Sequence, residues 1–579
     1  MITKLSIKNF KCFRNVEIEL GDRVVFIGPN NSGKTSALQA LSLWEIGIRR
    51  WIEKRGTGRI PQKRPGVTIN RRDILAIPVP SANLLWRNLK VRFAEKAGEK
   101  HVTKNIRIEI GVEGISDGKI WQCNLEFDYA NEESLYCRPV RSNAQNSNSN
   151  NAIEIPEQVK DIHIAFLPPM SGLTSAETRL DPGAINVRLG EGRTAEVLRN
   201  LCYLIYESEN GKAKWIKLKD VIKELFGVEL HDPEYIIERG ELSLSFTEKN
   251  ITLDLTSAGR GLHQTLLLLA YMMLHPKSII LLDEPDAHLE FLRQRQIYQI
   301  LSETAEEFKS QIIAASHSEV LLNEAADRDI VIAFVGKPHR IDDRGSQLLK
   351  ALKDIGFDQF IQAEQTGWVL YLEGSTDLAI LRAFAKKLNH AATSILERPF
   401  VYYIGNQPRK AQEHFYGLRE AKPDLVGIAI FDRLDRHLPS DPNLVQYMWS
   451  KKEIENYLCT KDVLLRWAES KTEQESGPLF SKQSVDLLNS IINEIENALQ
   501  TLGKPSPWSG DLKVTDEFLD RLFENFFRKQ SLPNLMPKTN YHILADYILP
   551  HEIDDEVKSV LDMIYNISQQ ANPMEENAD

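Results

Sequence analysis

The chain has 579 residues, 42% of them hydrophobic and 26% charged, with a formal net charge of −10. That length exceeds one ordinary hydrophobic core and predicts two to four domains. The acidic balance excludes a globally basic nucleic-acid coat but leaves a local basic patch open. The cysteines Cys12, Cys123, Cys137, Cys202 and Cys459 are scattered without a C-x-x-C spacing, which argues against a zinc site or disulfide framework and for a reducing, cytoplasmic setting. No signal-peptide apolar core and no membrane-spanning apolar run is present in the sequence, so no membrane partner is expected.

In chain order, Met1–Phe10 alternates like a strand, and residues 1 to about 130 read as short alternating strands around a phosphate loop. The loop is Gly28-Pro-Asn-Asn-Ser-Gly-Lys-Thr35, which follows the apolar Val24–Ile27 and leads into the helix-like Ser36–Leu41. That context is what G-x-x-x-x-G-K-[ST] needs. The glycines let backbone N–H groups approach phosphates, Lys34 reaches the β- and γ-phosphates, and the Thr35 hydroxyl can ligate Mg²⁺. Arg49–Arg72 carries nine Lys/Arg against the single acid Glu53, and reads either as a phosphate-binding surface or as a solvated loop. The polar stretch Arg141–Asn151 is an exposed insertion.

Strand character returns at Ile162–Leu167, followed by helical patterns from about 175 to 225. Ser257-Ala-Gly-Arg-Gly-Leu-His-Gln264 then opens the helical run Thr265–Leu274, where a glycine-flanked helix start can donate N–H groups to a γ-phosphate. The strand Ile279–Leu282 ends in Asp283-Glu284. Asp283 is placed to hold Mg²⁺ and Glu284 to polarise the attacking water. Leu289–Phe308 reads as a crossover helix to the strand Gln311–Ala315, after which His317 can sense a γ-phosphate. The strand and helix alternation restarts near residue 368. There Val369–Glu373 ends in an acid, Asp377 follows at the start of the helix-like Leu378–Leu388, and Val426–Asp432 ends in another acid with Asp435 close behind. Carboxylates converging from strand ends form a hard-oxygen site for Mg²⁺ or Mn²⁺, although Asp377 can equally cap its own helix. Beyond about residue 460 the pattern is mostly helical, and the tail 571–579 reads as disordered.

The order of phosphate loop, Ser-x-Gly-x-Gly element, aliphatic-Asp-Glu and strand-Ser-His resembles ABC-type ATPases of the RecF and structural-maintenance-of-chromosomes group over residues 1–345. The resemblance implies ATP binding at Gly28, Asn31, Gly33, Lys34, Thr35 and Asp283. It makes Glu284 the catalytic carboxylate, His317 the switch residue, and Ser257, Gly259 and Gly261 the signature. Sustained heptads are absent, so a compact head is expected and not a tethering arm. The second acidic constellation resembles a Toprim domain with its core over 366–465 and a helical continuation over 466–570. Glu373 is its first acid and Asp432 opens the Asp-x-Asp element, but position 434 is leucine and the next acid is Asp435. Lys451-Lys-Glu-Ile-Glu-Asn-Tyr457 is similar to the Glu-rich segment of OLD-type proteins, with Glu455 preferred and Glu453 in reserve, and Lys538 corresponds to their late, phosphate-stabilising lysine.

The expected fold class is therefore α/β, an ABC-type ATPase head followed by a Rossmann-like α/β domain and C-terminal helices. An ABC ATPase followed by a Toprim domain resembles the OLD family, including nuclease subunits of Gabija systems and retron effectors. The resemblance implies an ATP-regulated, Mg²⁺- or Mn²⁺-dependent DNA endonuclease or nickase in anti-phage defence. It also implies a homo-oligomer, dimer or tetramer, with an operon-encoded helicase, reverse transcriptase or small nuclease as a further partner. A RecF-like ATP-dependent DNA scaffold with a degenerate Toprim domain is the rival reading, and a topoisomerase is disfavoured for want of a tyrosine in a strand-passage context.

Overall fold

The computed structural model describes residues 1–60, 66–97, 100–116, 118–140, 153–325, 328–341, 355–435, 437–439, 441–476 and 478–573. The polar insertion at 141–151 lies outside the described residues. The chain divides into two units, residues 1–349 and residues 350–574.

Two six-stranded sheets build the first unit. One is antiparallel and contains Ile2–Phe10, Phe13–Glu19, Ile108–Ser116, Lys119–Asn131, Ser134–Pro139 and Val67–Asn70. Its strands alternate in burial, as in Phe13–Glu19, where Phe13, Val16 and Ile18 turn inward, the pattern of a sheet with one solvated face. The other runs Ile164–Leu167, Ile279–Asp283, Gln311–Ser316, Arg23–Ile27, Ile330–Ala333 and His339–Arg340, with the first five parallel and the last antiparallel. Every residue of Ile279–Asp283 and Gln311–Ser316 is buried. Strands covered on both faces need continuous apolar runs, and that is why these two read so plainly in the sequence. The helix Lys34–Arg55 buries Leu38, Leu41, Trp44, Ile48 and Trp51, and the Trp44 indole N–H donates to the Cys123 carbonyl at 2.9 Å. It ends at Gly56, whose N–H reaches Ile52 O. The predicted crossover helix spans Phe291–Phe308. The helical stretch expected over 175–225 is Pro182–Gly190, Leu198–Glu207 and Gly211–Phe226. Small antiparallel sheets between Glu229 and Asp254 follow it.

The second unit begins with the helix Phe357–Thr366, ahead of the predicted restart at 368. Its sheet is four-stranded and all parallel, in the order Val401–Tyr403, Trp368–Leu372, Val426–Phe431, Leu444–Met448. Side chains alternate across it with period two. Leu370, Leu372, Ile428 and Ile430 face a core that also holds Trp467, Phe523 and Val557 from the C-terminal helices. Val369, Tyr371, Ala429 and Phe431 face a second core with Phe415. The C-terminal helices are thus part of the same core as the sheet, and truncating the buried Trp467 to alanine should cost about 3–5 kcal/mol. Within the predicted tail, Ala571 packs against the core and Asn572 donates to Asp424 at 3.0 Å; residues 574–579 lie outside the described ones.

Both units are therefore α/β. The first joins a parallel sheet to an antiparallel one, and the second is a small doubly covered parallel sheet with appended helices.

Candidate functional site

Each unit carries one candidate centre, and each is built at the C-terminal ends of parallel strands, where open α/β sheets bind ligands. In the first unit the loop between Arg23–Ile27 and Lys34–Arg55 holds the phosphate motif. Gly33 caps the helix with φ 101°, and a Cβ there would lie 2.8 Å from Cys12 Sγ. A Cβ on Gly28 would lie 2.7 Å from the Phe334 carbonyl. Only glycine fits either place. Asn31 also sits in the left-handed region, at φ 64°. Lys34 is buried, and its ammonium donates to the Gly28 and Pro29 carbonyls at 2.7 and 2.8 Å; burial lowers its pKa. The Ser32 hydroxyl is buried without a partner, an orphaned donor of the kind a phosphate oxygen satisfies.

Thr35 Oγ1 donates to Asp283 Oδ1 at 3.1 Å, bringing together the two oxygens predicted to hold Mg²⁺. Asp283 is pushed up to about 6, chiefly by burial and then by the Glu284 charge. A buried carboxylate beside a hydroxyl fits a hard divalent cation. Glu284 has φ 51° and its N–H is held by the Ala315 carbonyl at 2.8 Å. His317 Nδ1 lies 4.0 Å from Glu284 Oε1. These residues converge. The signature residues do not: Gly259 caps the helix Arg260–Leu274, Ser257 and Gly259 are exposed, and among the described residues no hydrogen bond joins Ser257, Gly259 or Gly261 to the phosphate loop. Gln264, at the end of the same element, instead donates to the Glu284 and Pro285 carbonyls at 3.4 and 3.2 Å. That link was not legible as a contact from sequence.

In the second unit Glu373 and Asp432 follow the adjacent parallel strands Trp368–Leu372 and Val426–Phe431. Asp432 is pushed up to about 9, by burial first and then by the charge of Glu373, with which it shares a hydrogen bond; Asp377 and Glu455 add to the effect. Glu455 is fully buried and pushed up to about 8 by burial, Glu453 and Asp377, with Lys538 opposing. Lys538 Nζ lies 3.9 Å from Glu455 Oε1. Asp377 is pushed up to about 6 by burial and by Glu373. Its Oδ2 accepts from the N–H groups of Glu373 and Gly374 at 3.0 and 3.4 Å, so it shapes the turn that carries Glu373. Glu453 is committed elsewhere, accepting from Thr515 N–H at 2.6 Å.

Asp435 is not brought to this cluster. It is exposed, and the carboxylates that press on Asp432 are Glu373, Asp377 and Glu455. Leu434 turns the chain away by packing into the apolar core on one sheet face, with its N–H on Met448 Sδ at 3.0 Å. Among the described residues no three His, Cys, Asp or Glu side chains converge tightly enough to hold a metal ion as they stand. The donor chemistry is nonetheless all carboxylate oxygen, and that fits Mg²⁺ or Mn²⁺ and not zinc. Sequence reasoning missed Lys513, which lies in the field of Glu453 and Glu373; no local motif surrounds it.

In the basic stretch, Arg49 pairs with Glu45, Arg50 with Glu53 and Asp73, and Arg71 with Glu133. These four bridges favour the solvated-face reading there. Among the described residues no helix is long and apolar enough to cross a membrane.

Comparison with known proteins adds to this geometry. Residues 1–46 match the family described as AAA ATPase domain, and residues 206–323 match the AAA domain family described as putative AbiEii toxin, Type IV TA system. An OLD nuclease from Thermus scotoductus is 21% identical over 357 residues, 58% of this chain. The chain spans 64% of that relative's length. Among solved structures, an Smc head bound to the C-winged helix domain of ScpA is 15% identical, with a TM-score of 0.34 over 59% of this chain and 98% of that one. The SMC head domain from Thermotoga maritima is 17% identical, with a TM-score of 0.29 over the same shares. Two stretches of the chain thus match ATPase-domain families, and over 58% of its length the chain is similar to an OLD nuclease.

Proposed function

We propose that the chain is an ATP-regulated, divalent-metal-dependent DNA endonuclease or nickase, with ATP at the phosphate loop and DNA cleavage at the carboxylate cluster of a Toprim-type second unit. The observation that carries this reading is the pair Glu373 and Asp432 at adjacent strand ends, where burial and the Glu373 charge push Asp432 up to about 9 and Glu455 lies in electrostatic reach. Acids so crowded cannot ionise together without a cation among them. Glu373, Asp432 and Glu455 would hold Mg²⁺ or Mn²⁺, which when bound supplies Lewis-acid charge and an activated water for in-line displacement at phosphorus. Asp377 keeps Glu373 aimed at the site through the two backbone N–H groups it accepts, and Lys538 offsets phosphate charge.

In the first unit Lys34 and the loop N–H groups bind the β- and γ-phosphates, Thr35 and Asp283 would hold Mg²⁺, Glu284 orients the attacking water, and His317 reads the γ-phosphate through Glu284. The exposed Ser257 and Gly259 are suited to a nucleotide held by a second copy, which supports a homo-oligomer, dimer or tetramer. Such an enzyme would serve in the cytoplasm against phage or other foreign DNA, alone or with an operon-encoded helicase, reverse transcriptase or small nuclease. The test is plasmid nicking with Mg²⁺ or Mn²⁺, with and without ATP. A Glu373→Ala protein that cuts as well as the parent would overturn the assignment.

One observation favours a second reading. Asp435 stands apart and Leu434 is apolar, so one expected metal ligand is missing, as in an ATP-dependent DNA scaffold with a degenerate second unit. ATP-dependent DNA retention without metal-dependent cutting would select it.

A further inference from the structure

The segment Gly510–Asp516 is far in sequence from every strand end, yet it is fixed against the two stretches that carry Asp432 and Glu455. Arg433, the residue after Asp432, pairs with Asp511 at 2.8 Å. From the Glu453–Tyr457 side, the Lys452 N–H donates to the Gly510 carbonyl at 2.7 Å, Asn456 Nδ2 to the Leu512 carbonyl at 3.0 Å, and the Thr515 N–H to Glu453 Oε1 at 2.6 Å. A Cβ on Gly510 would lie 2.8 Å from Lys451 Cγ, so the two stretches touch at the backbone. Leu512 and Val514 are buried in the core of the unit. Lys513, between them, is left on the outer side with its side chain 47% exposed.

A lysine on so constrained a backbone is not an ordinary solvated one. Its ammonium pairs with Asp516, three residues on, at 2.9 Å, and it lies in the field of Glu453 and Glu373. Asp516 in turn feels both Lys513 and Lys538. Lys513 is thus paired with an exposed carboxylate while Lys538 lies 3.9 Å from Glu455, and Asp516 holds the place beside Lys513 that another anion could take.

We propose that Lys513 is a second phosphate-binding residue of this centre, exchanging Asp516 for a DNA backbone phosphate next to the one that is cut. The inference rests on the nuclease reading of the acid cluster. Lys513 would position the strand and leave the chemistry at phosphorus to the acids and Lys538. Its loss should therefore act on binding more than on turnover.

The experiment uses the full chain, as parent, Lys513→Gln and Lys513→Arg, in two arms. In EDTA, binding of a labelled DNA duplex is measured across salt concentrations. The slope of log K against log[salt] should fall by about 0.9 in Lys513→Gln, the value for one phosphate contact, and return with Lys513→Arg. In Mg²⁺ or Mn²⁺, Lys513→Gln should raise KM for nicking about tenfold, the order expected for one lost charged contact, and leave kcat within about twofold. Parental slope and parental KM in Lys513→Gln, in a preparation whose parent nicks DNA, overturn the inference alone. A parent that cuts nothing overturns the nuclease reading, and the EDTA arm then still decides whether Lys513 touches the DNA backbone.

Discussion

The two centres solve opposite problems of charge with similar scaffolding. Both sit where parallel strands end, yet the first is organised around a buried cation and the second around buried acids. Lys34 is held by two carbonyls with Asp283 on Thr35, so its charges are nearly matched before any ligand arrives. In the second unit Asp432 and Glu455 are driven up to about 9 and 8, with lysines only at the rim. The first centre is preorganised for an anion and tolerates being empty. The second is strained by its own charge and is relaxed by a cation.

If that contrast is right, the largest effects should separate cleanly. Glu373→Ala should lower metal-dependent nicking by about 10³ or more while ATP hydrolysis stays within about twofold, and Lys34→Ala should abolish nucleotide binding; both magnitudes are those of removing a principal electrostatic partner. Loss of ATP hydrolysis in Glu373→Ala would dissolve the distinction. Next, Glu284→Gln should reduce ATP hydrolysis by about 10²–10³ with nucleotide affinity retained, as for loss of a general base. Nucleotide binding by fluorescence and turnover by phosphate release check the two halves.

A smaller effect concerns pH. Asp432 and Glu455 bind protons in the folded state well above the ordinary carboxylate range near 4, so between about pH 4 and pH 9 the folded chain holds more protons than the unfolded one. Stability from this cluster must then fall as pH rises through that window. In metal-free protein the melting temperature should drop from pH 5 to pH 9. Asp432→Asn or added Mg²⁺ should flatten the trend, read by calorimetry. A melting temperature that climbs with pH would mean the acids are already neutralised by neighbours. The smallest expected change is Asp435→Ala, which should leave nicking and its metal response within about twofold, since Asp435 is exposed and outside the cluster. A tenfold loss would return Asp435 to the metal.

What could be read from sequence follows from how local each signal is. The phosphate loop, Asp283–Glu284, Glu373 and Asp432 are each an aliphatic strand followed at once by its functional group, and a buried parallel strand writes itself as an unbroken apolar run. Asp435 misled because three residues past a strand the direction of the chain is set by tertiary packing, here Leu434 entering an apolar core. Between Glu453 and Glu455 the resemblance preferred Glu455 and kept Glu453 in reserve, without a contact to decide it. The fold makes one by spending Glu453 on a backbone N–H from Thr515, some sixty residues away. Lys513 could not be found at all, because its position depends on Asp511, Leu512 and Thr515 being tied to segments distant in sequence. The small sheets between Glu229 and Asp254 were unread because strands of two to four residues are too short to show a period.

Glu284 has one more consequence. A non-glycine residue at φ 51° carries strain of about 1–3 kcal/mol, and glycine there would relieve much of it. Glu284→Gly should therefore melt higher than the parent and hydrolyse no ATP. A selection for thermal tolerance alone would drift toward that substitution and discard the enzyme, so a heat-stable library of this chain must be screened on turnover from its first round.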